Sequence, residues 1–223
     1  MQKISNNETC TQKNRTASEG IVEGQTFMWM VESNVTDFNR LGYGVLEFIM
    51  SPSNLNAAYL QVRRNKGAAG VDKVEVESLK DYLIKNKTEL TAAIFRGIYR
   101  PHPVRRVEIP KDNGQKRQLG IPTVVDRVIQ QAISQILSGL YEPQFSDHSY
   151  GFRPGRRAHD AVKAARAYVQ TGKRVVVDVD LAKFFDRVNH DILIDRLGKR
   201  IDDAGVIRLV RAYLNAGIMD GGV

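Results

Sequence analysis

Val175-Val-Val-Asp178-Val-Asp180, running on into Leu181-Ala-Lys-Phe-Phe185-Asp186, is an apolar run that ends in acid. Alternation with period two puts Asp178 and Asp180 on the same side of an extended chain, and the valines predict a buried strand over residues 174–181. A carboxylate among buried valines is costly unless it is paired, hydrogen-bonded or bound to a cation. At a strand end, Asp180 suits a Mg²⁺ ligand. It suits equally a structural acid that caps the next turn, and the same holds for Asp178 and Asp186.

The charge around this run narrows what the chain can touch. The 223 residues carry a formal net charge of +8, with a pI near 9.6. That balance fits either a polyanionic partner such as nucleic acid or an inert basic surface. Its distribution favours the first. Residues 96–127 hold 8 basic against 3 acidic residues, a net of +5; residues 149–174 hold 7 against 1, a net of +6; residues 1–52 hold 4 against 6, a net of −2. Two positive segments bracketing one helix suggest a groove. The single cysteine, Cys10, excludes an internal disulfide and a Cys-rich zinc site. No apolar run approaches the ~18 residues of a membrane span, and the polar N-terminus lacks the apolar centre of a signal peptide. The expectation is a soluble, intracellular protein with no membrane partner.

Outward from the acid-tipped run, the pattern is mostly helical. Residues 1–20 are polar and aperiodic and are expected to be disordered. Residues 21–50 carry Trp29 and several large apolar groups without a clear period. Ser53 is a candidate cap for a helix over roughly 54–65. Asn65-Lys-Gly-Ala-Ala-Gly-Val-Asp72 reads as a glycine-punctuated loop. Leu79, Leu83, Leu90, Ile94 and Ile98 stripe a helix over 76–98. Val104–Ile109 and Gln115–Ile121 read as two strands joined by a turn at Asp112-Asn-Gly114. Val124, Val128, Ile129, Ala132, Ile133, Ile136 and Leu140 follow helical spacing closely over 123–141. Tyr150-Gly-Phe-Arg-Pro-Gly155 is a loop. Residues 157–171 read as an amphipathic helix with Ala158, Ala161, Val162, Ala165, Tyr168 and Val169 on one face. Helices over 191–200 and 204–216 complete the chain.

Asp180-Leu-Ala-Lys-Phe-Phe-Asp-Arg-Val-Asn-His190 resembles the palm block called motif A in group II intron-encoded reverse transcriptases and maturases. Ile109-Pro-Lys111 with Arg117-Gln-Leu-Gly-Ile-Pro-Thr-Val-Val-Asp-Arg127 is similar to that family's first block. Tyr150-Gly-Phe-Arg-Pro-Gly-Arg-Arg-Ala-His-Asp160 is similar to its second. Lys66-Gly-Ala-Ala-Gly-Val-Asp72 looks like the N-terminal loop that lies over the template. The resemblance covers roughly residues 53–223. It implies an α+β fold: right-hand polymerase fingers and partial palm, helix-rich with a β-hairpin and a short antiparallel palm sheet. On this division residues 1–52 are an N-terminal extension, 53–172 the fingers and 173–223 the start of the palm.

The resemblance also implies roles. The Asp180 carboxylate and the Leu181 carbonyl would hold Mg²⁺, two ions in a complete enzyme. Phe185 would be the ring that packs under the sugar and excludes a ribose 2′-OH. Lys111 and Arg117 would grip the triphosphate of the incoming dNTP, with Arg105 a third. Lys66, Gly67, Arg153, Arg156 and Arg157 would contact nucleic acid: group II intron RNA, or an RNA template and DNA primer. The implied reaction is RNA-directed DNA synthesis, with an intron RNA-binding and splicing role. Alternatives are an RNA-binding maturase module without polymerase activity, or a retron, CRISPR-associated or diversity-generating reverse transcriptase. No Tyr-x-Asp-Asp run occurs in these residues, so the expectation is a fingers and partial-palm piece that binds RNA and does not polymerise alone. Its uncovered palm surface is compatible with a homodimer.

Two local geometries can be stated in advance. Arg105, Val107, Ile109 and Lys111 share one strand face. A two-residue turn would pair Arg117 with Pro110 and send it to the other face; a three-residue turn with Gly114 left-handed pairs Arg117 with Ile109. The phosphate-gripping role requires the second. In the 150–157 loop, Tyr150 and Phe152 are expected inward and at least one arginine outward, at a helix N-terminus that attracts phosphate.

Overall fold

The structure is a computed structural model that describes residues 44–110, 114 and 116–219. The expected disorder of residues 1–20, and Lys111, lie outside the described residues.

The first described helix, α1 (Val45–Ile49), is too short to show a period in sequence, but Val45, Leu46 and Ile49 are all buried. Helix α2 (Pro52–Asn65) follows at once. Its cap is Ser51, whose Oγ accepts the Asn54 N–H at 3.4 Å, with Pro52 in the first turn where its missing N–H costs nothing. Ser53, the expected cap, lies inside the helix.

The helix expected over 76–98 opens as a 3₁₀ turn (Val76–Ser78) and continues as α3 (Leu79–Phe95). It stops early because Gly97 adopts φ +71°, with the Ile98 N–H closing on the Ala93 carbonyl at 3.0 Å and the Gly97 N–H on the Ile94 carbonyl at 2.9 Å. That is the Schellman arrangement, and glycine enters it without a Cβ penalty. Strands β1 (Val104–Pro110) and β2 (Lys116–Ile121) form the hairpin. Helix α4 (Val124–Tyr141) is capped by Thr123, whose Oγ1 accepts the Asp126 N–H at 3.1 Å. Then come α5 (Ala158–Gln170), the single turn α6 (Phe184–Arg187), α7 (His190–Gly198), α8 (Ala204–Leu214) and the two-residue strand β3 (Ile218–Met219).

Helix α4 is the axis of the core. Val124, Val128, Ile129, Ala132, Ile136 and Leu140 are buried against α1, α2, α3 and α8. Polar pins fix the arrangement. Buried Asn54 donates from Nδ2 to the Ile49 and Ala132 carbonyls at 2.8 and 3.1 Å and accepts from Gln135 at 2.6 Å, joining α2 to α4. The Asp203 carboxylate caps α8 through the Gly205 and Val206 N–H groups and also accepts the Leu46 N–H at 2.8 Å, tying α8 to α1.

The sheet has the order β2-β1-β3, with β2 antiparallel and β3 parallel to β1. The fold is α+β as expected, helix-rich with a small sheet; among the described residues that sheet is mixed and is built on the hairpin. The buried strand expected over 174–181 is corrected. These residues have no strand assignment, and Val175, Val176, Val177 and Val179 are 79–86% exposed. A strand exists only with a ladder partner and a surface to pack on, and no described segment supplies either. The same holds for α5: its apolar face leaves Val162 and Val169 exposed and Tyr168 half-exposed. No helix among the described residues is long and apolar enough to cross a membrane.

Candidate nucleic-acid and nucleotide interface

The hairpin register pairs Ile109 with Arg117 and Pro110 with Lys116, and Gly114 sits at φ +77°. Directly paired residues share a face, so Arg117 stands with Ile109, Val107 and Leu119, as the three-residue turn requires. Arg117 is exposed. On the opposite face Lys116 meets Glu108 at 2.6 Å. This contact raises the ammonium's pKa, first through the hydrogen bond and then through the charge. It is a solvent-exposed pair of small energetic weight.

Arg105 has a different occupation. Its Nε and Nη2 donate to the Ala69 carbonyl at 3.1 and 2.8 Å. Arg127, from α4, donates to the Lys66 and Ala68 carbonyls at 3.2 and 2.8 Å. Burial lowers the Arg127 pKa, with Asp72 opposing the shift. Two arginines therefore hold the 66–72 loop by its main chain. The loop itself needs unusual backbone: Lys66 has φ +54° and Gly67 +107°. Gly70 packs so tightly that a Cβ there would lie 2.6 Å from Thr123 Cα and 2.7 Å from Thr123 N. Because the obstacle is backbone, Gly70→Ala is expected to destabilise by about 1–3 kcal/mol and to loosen the loop. A lowered Tm with faster proteolysis between Lys66 and Lys73 is the expected measurement.

Asp126 is the buried centre that sequence reading missed. Its side chain is 1% exposed. It accepts from Tyr99 Oη at 2.6 Å, Tyr213 Oη at 3.1 Å, Thr123 Oγ1 at 2.7 Å and the His102 N–H at 3.2 Å. Four donors satisfy a carboxylate that would otherwise be costly to bury. Burial, followed by the nearby carboxylate for Tyr99 and by Tyr99 and then Asp126 for Tyr213, raises both phenol pKa values far above the ordinary range, so both remain donors. The node joins the approach to β1, the start of α4 and helix α8. Thr123-x-x-Asp126 was legible as a capping pattern; the tyrosines were not.

In the 145–157 loop the expected inward aromatics are overturned. Phe152 is fully exposed at φ +56°, and Tyr150 is only half-buried beneath the Arg156 guanidinium. The interior role goes to Arg153. Its side chain is 7% exposed, bonded to Glu142 at 2.8 Å and to the Ser146 and Ser149 carbonyls at 2.6 and 2.9 Å. A guanidinium offers five donors in a fixed fork and suits such multiple docking. Arg156 holds the Asp147 carbonyl and carboxylate at 2.7 and 3.1 Å. Arg157 faces solvent, while its N–H donates to Asp160, so a carboxylate already sits at the N-terminus of α5.

The acid-tipped run is open. Asp180 is exposed and its Oδ1 accepts the Leu181 N–H at 2.9 Å, while the Leu181 carbonyl accepts the Phe184 N–H at 3.2 Å. Lys183 is left-handed at φ +54° and starts α6. Phe185 is 88% exposed, edge-on to Phe184 with centroids 5.4 Å apart. Mg²⁺ is usually held by one or two carboxylates together with waters and substrate phosphates. The Asp180 carboxylate and the Leu181 carbonyl, which keeps a second lone pair, are oxygen donors of the type Mg²⁺ takes. No group of three His, Cys, Asp or Glu that could hold a metal occurs among the described residues. The structure thus brings together Lys66, Gly67, Arg105 and Arg127, and keeps Asp180 and Phe185 on a separate exposed segment.

Residues 109–220 match the family model described as reverse transcriptase (RNA-dependent DNA polymerase). The chain is 36% identical over 185 residues to protein YkfC of Escherichia coli K12, covering 80% of this chain and 49% of that one. It is 35% identical over 176 residues to the group II intron-encoded protein LtrA of Lactococcus lactis subsp. cremoris, covering 78% and 29%. It is 31% identical over 93 residues to nuclear intron maturase 1, mitochondrial, of Arabidopsis thaliana, covering 42% and 13%. The chain spans half or less of the length of each of these relatives.

Proposed function

The chain belongs to the reverse transcriptase (RNA-dependent DNA polymerase) family, in its group II intron-encoded branch, and from that premise we propose that the full-length protein copies RNA into DNA and binds its intron RNA as a maturase. Residues 53–172 serve as fingers and 173–223 as the start of the palm. The observation that carries the reading is the family match across 109–220, which takes in the end of β1, strand β2 and the Asp180 segment.

Within it each group has a task. Arg117, exposed on the Ile109 face, grips the triphosphate of an incoming dNTP together with Lys111; guanidinium forks match phosphate oxygens bidentately. Arg105 contributes indirectly, by holding the template loop through Ala69. Lys66 and Gly67 in that loop, and Arg157 beyond the 150–155 turn, face the nucleic acid backbone. Arg153 and Arg156 build the loop that presents Arg157. Phe185 selects deoxyribose by filling the space of a 2′-OH. Asp180 and the Leu181 carbonyl would hold Mg²⁺, which in this family supplies charge neutralisation at the transferring phosphate.

Primer extension on an RNA template by the full-length protein tests the reading; absence of any dNTP incorporation would overturn it and leave the RNA-binding role alone. Arg117→Ala is expected to raise the KM for dNTP about 10-fold, the equivalent of one charged hydrogen bond, with RNA affinity changed less than about 2-fold. A change confined to RNA affinity would place Arg117 on the nucleic acid instead.

A further inference from the structure

An apolar groove of about 250 Å³ runs between α2 and α3 over the edge of α4. Its walls include Met50, Leu55, Tyr59, Leu83, Leu90 and Val128. Ile84, also in the wall, is 73% exposed, an unusual position for a large aliphatic side chain beside an apolar cleft. The charged residues on the lining are Lys80 and Lys87, and no acid lines it. An open apolar trough with a basic rim fits a segment that is apolar and acidic.

The sequence immediately before α1 has that character. Residues 21–43 include Phe27-Met-Trp-Met-Val31, the longest apolar run in the first fifty residues, with Val35, Phe38 and Leu41 further on. They hold three acids (Glu23, Glu32 and Asp37) against one base, Arg40. The segment joins the described residues at Gly44, and Met50, six residues on, is part of the groove wall. Gly44 lies fifteen residue steps beyond Trp29, a reach of up to ~50 Å, so the tether does not limit access.

We propose that residues 21–43 of this chain dock in the α2–α3 groove, with the Phe27–Val31 run against Leu83, Ile84 and Tyr59 and the segment's acids toward Lys80 and Lys87. The groove is then an internal seat for the N-terminal extension. The inference stands apart from the proposed polymerase function, since none of the groove residues named has a role in it.

The full chain carries its own probe, because Trp29 is its one tryptophan. Trp29 emission in the intact chain is expected to be blue-shifted and several-fold less quenched by acrylamide than in the urea-unfolded chain. Ile84→Glu and, separately, the double charge reversal Lys80→Glu with Lys87→Glu are expected to restore quenching several-fold while leaving circular dichroism unchanged. Both alter exposed side chains, so the fold is expected to survive in at least one. Ile218→Glu, exposed on β3 and away from the groove, is the control and should have no effect. Trp29 quenched as in the unfolded chain, or shielding insensitive to both groove variants, overturns the proposal. Shielding that disappears on dilution, in step with a fall in mass by sedimentation, overturns it in favour of a second copy in the groove.

Discussion

Asp180→Ala is expected to lower primer extension by the full-length protein by about 10³-fold or more while leaving its affinity for intron RNA within about 2-fold. The magnitude follows from the role proposed for Asp180, a carboxylate that would hold Mg²⁺ during phosphoryl transfer. Charge stabilisation worth several kcal/mol depends on it, and each 1.36 kcal/mol is a factor of ten in rate. The insensitivity of binding follows from geometry. Asp180 is exposed, bonds to its own neighbour Leu181, and ties no other element in place among the described residues, so its loss should not unfold the basic surfaces at Lys66 and Arg157. Extension assays beside filter binding at matched salt make the comparison. Undiminished extension would remove Asp180 from the chemistry; equal loss of both activities would make it structural.

Asp126→Asn is expected to cost about 3–5 kcal/mol of stability, the range for opening a buried, fully bonded charged network. The substitution keeps the shape but trades one acceptor oxygen for an NH₂ that faces phenol donors. Thermal unfolding measures it; a change below about 1 kcal/mol would show that the node is not a main support of the fold. The tyrosines add a pH dependence whose sign is fixed. Their folded pKa values are raised above the ordinary 10.0. Whatever stability the protonated phenols supply is therefore complete below pH 10 and is withdrawn as pH rises above it. Tyr99→Phe with Tyr213→Phe should flatten the alkaline side of the stability profile and lower its plateau.

The difference between what the sequence revealed and what it concealed lies in how far each feature depends on distant residues. Helix α4 was readable because its apolar stripe and Thr123 cap are local. The hairpin register was readable because turn length and strand alternation fix it between neighbours. The run Val175–Asp180 was misread because its composition speaks for a buried strand, whereas burial depends on a partner that no described segment provides. Arg153 was ambiguous for another reason: the same five donors that suit phosphate also suit a nearby acid and main-chain carbonyls, and only the fold around residues 142–149 brings Glu142 and two carbonyls to it. Asp126 was invisible because its tyrosine partners lie 27 and 87 residues away. Helix α1 was hidden because five residues are too few to show a period.

The parallel strand β3 bears on the order in which the molecule assembles. Hairpin β1–β2 can form as soon as residue 121 has been made, since all its pairings are local. Its other edge stays unprovided until Ile218 and Met219 arrive beside Val104 and Arg105 and the Gly217 carbonyl takes the Val104 N–H at 3.1 Å. Contacts this remote in sequence form late. During synthesis the basic hairpin therefore exists for about a hundred residues with one unzipped margin, and an exposed margin is where strands from other chains add.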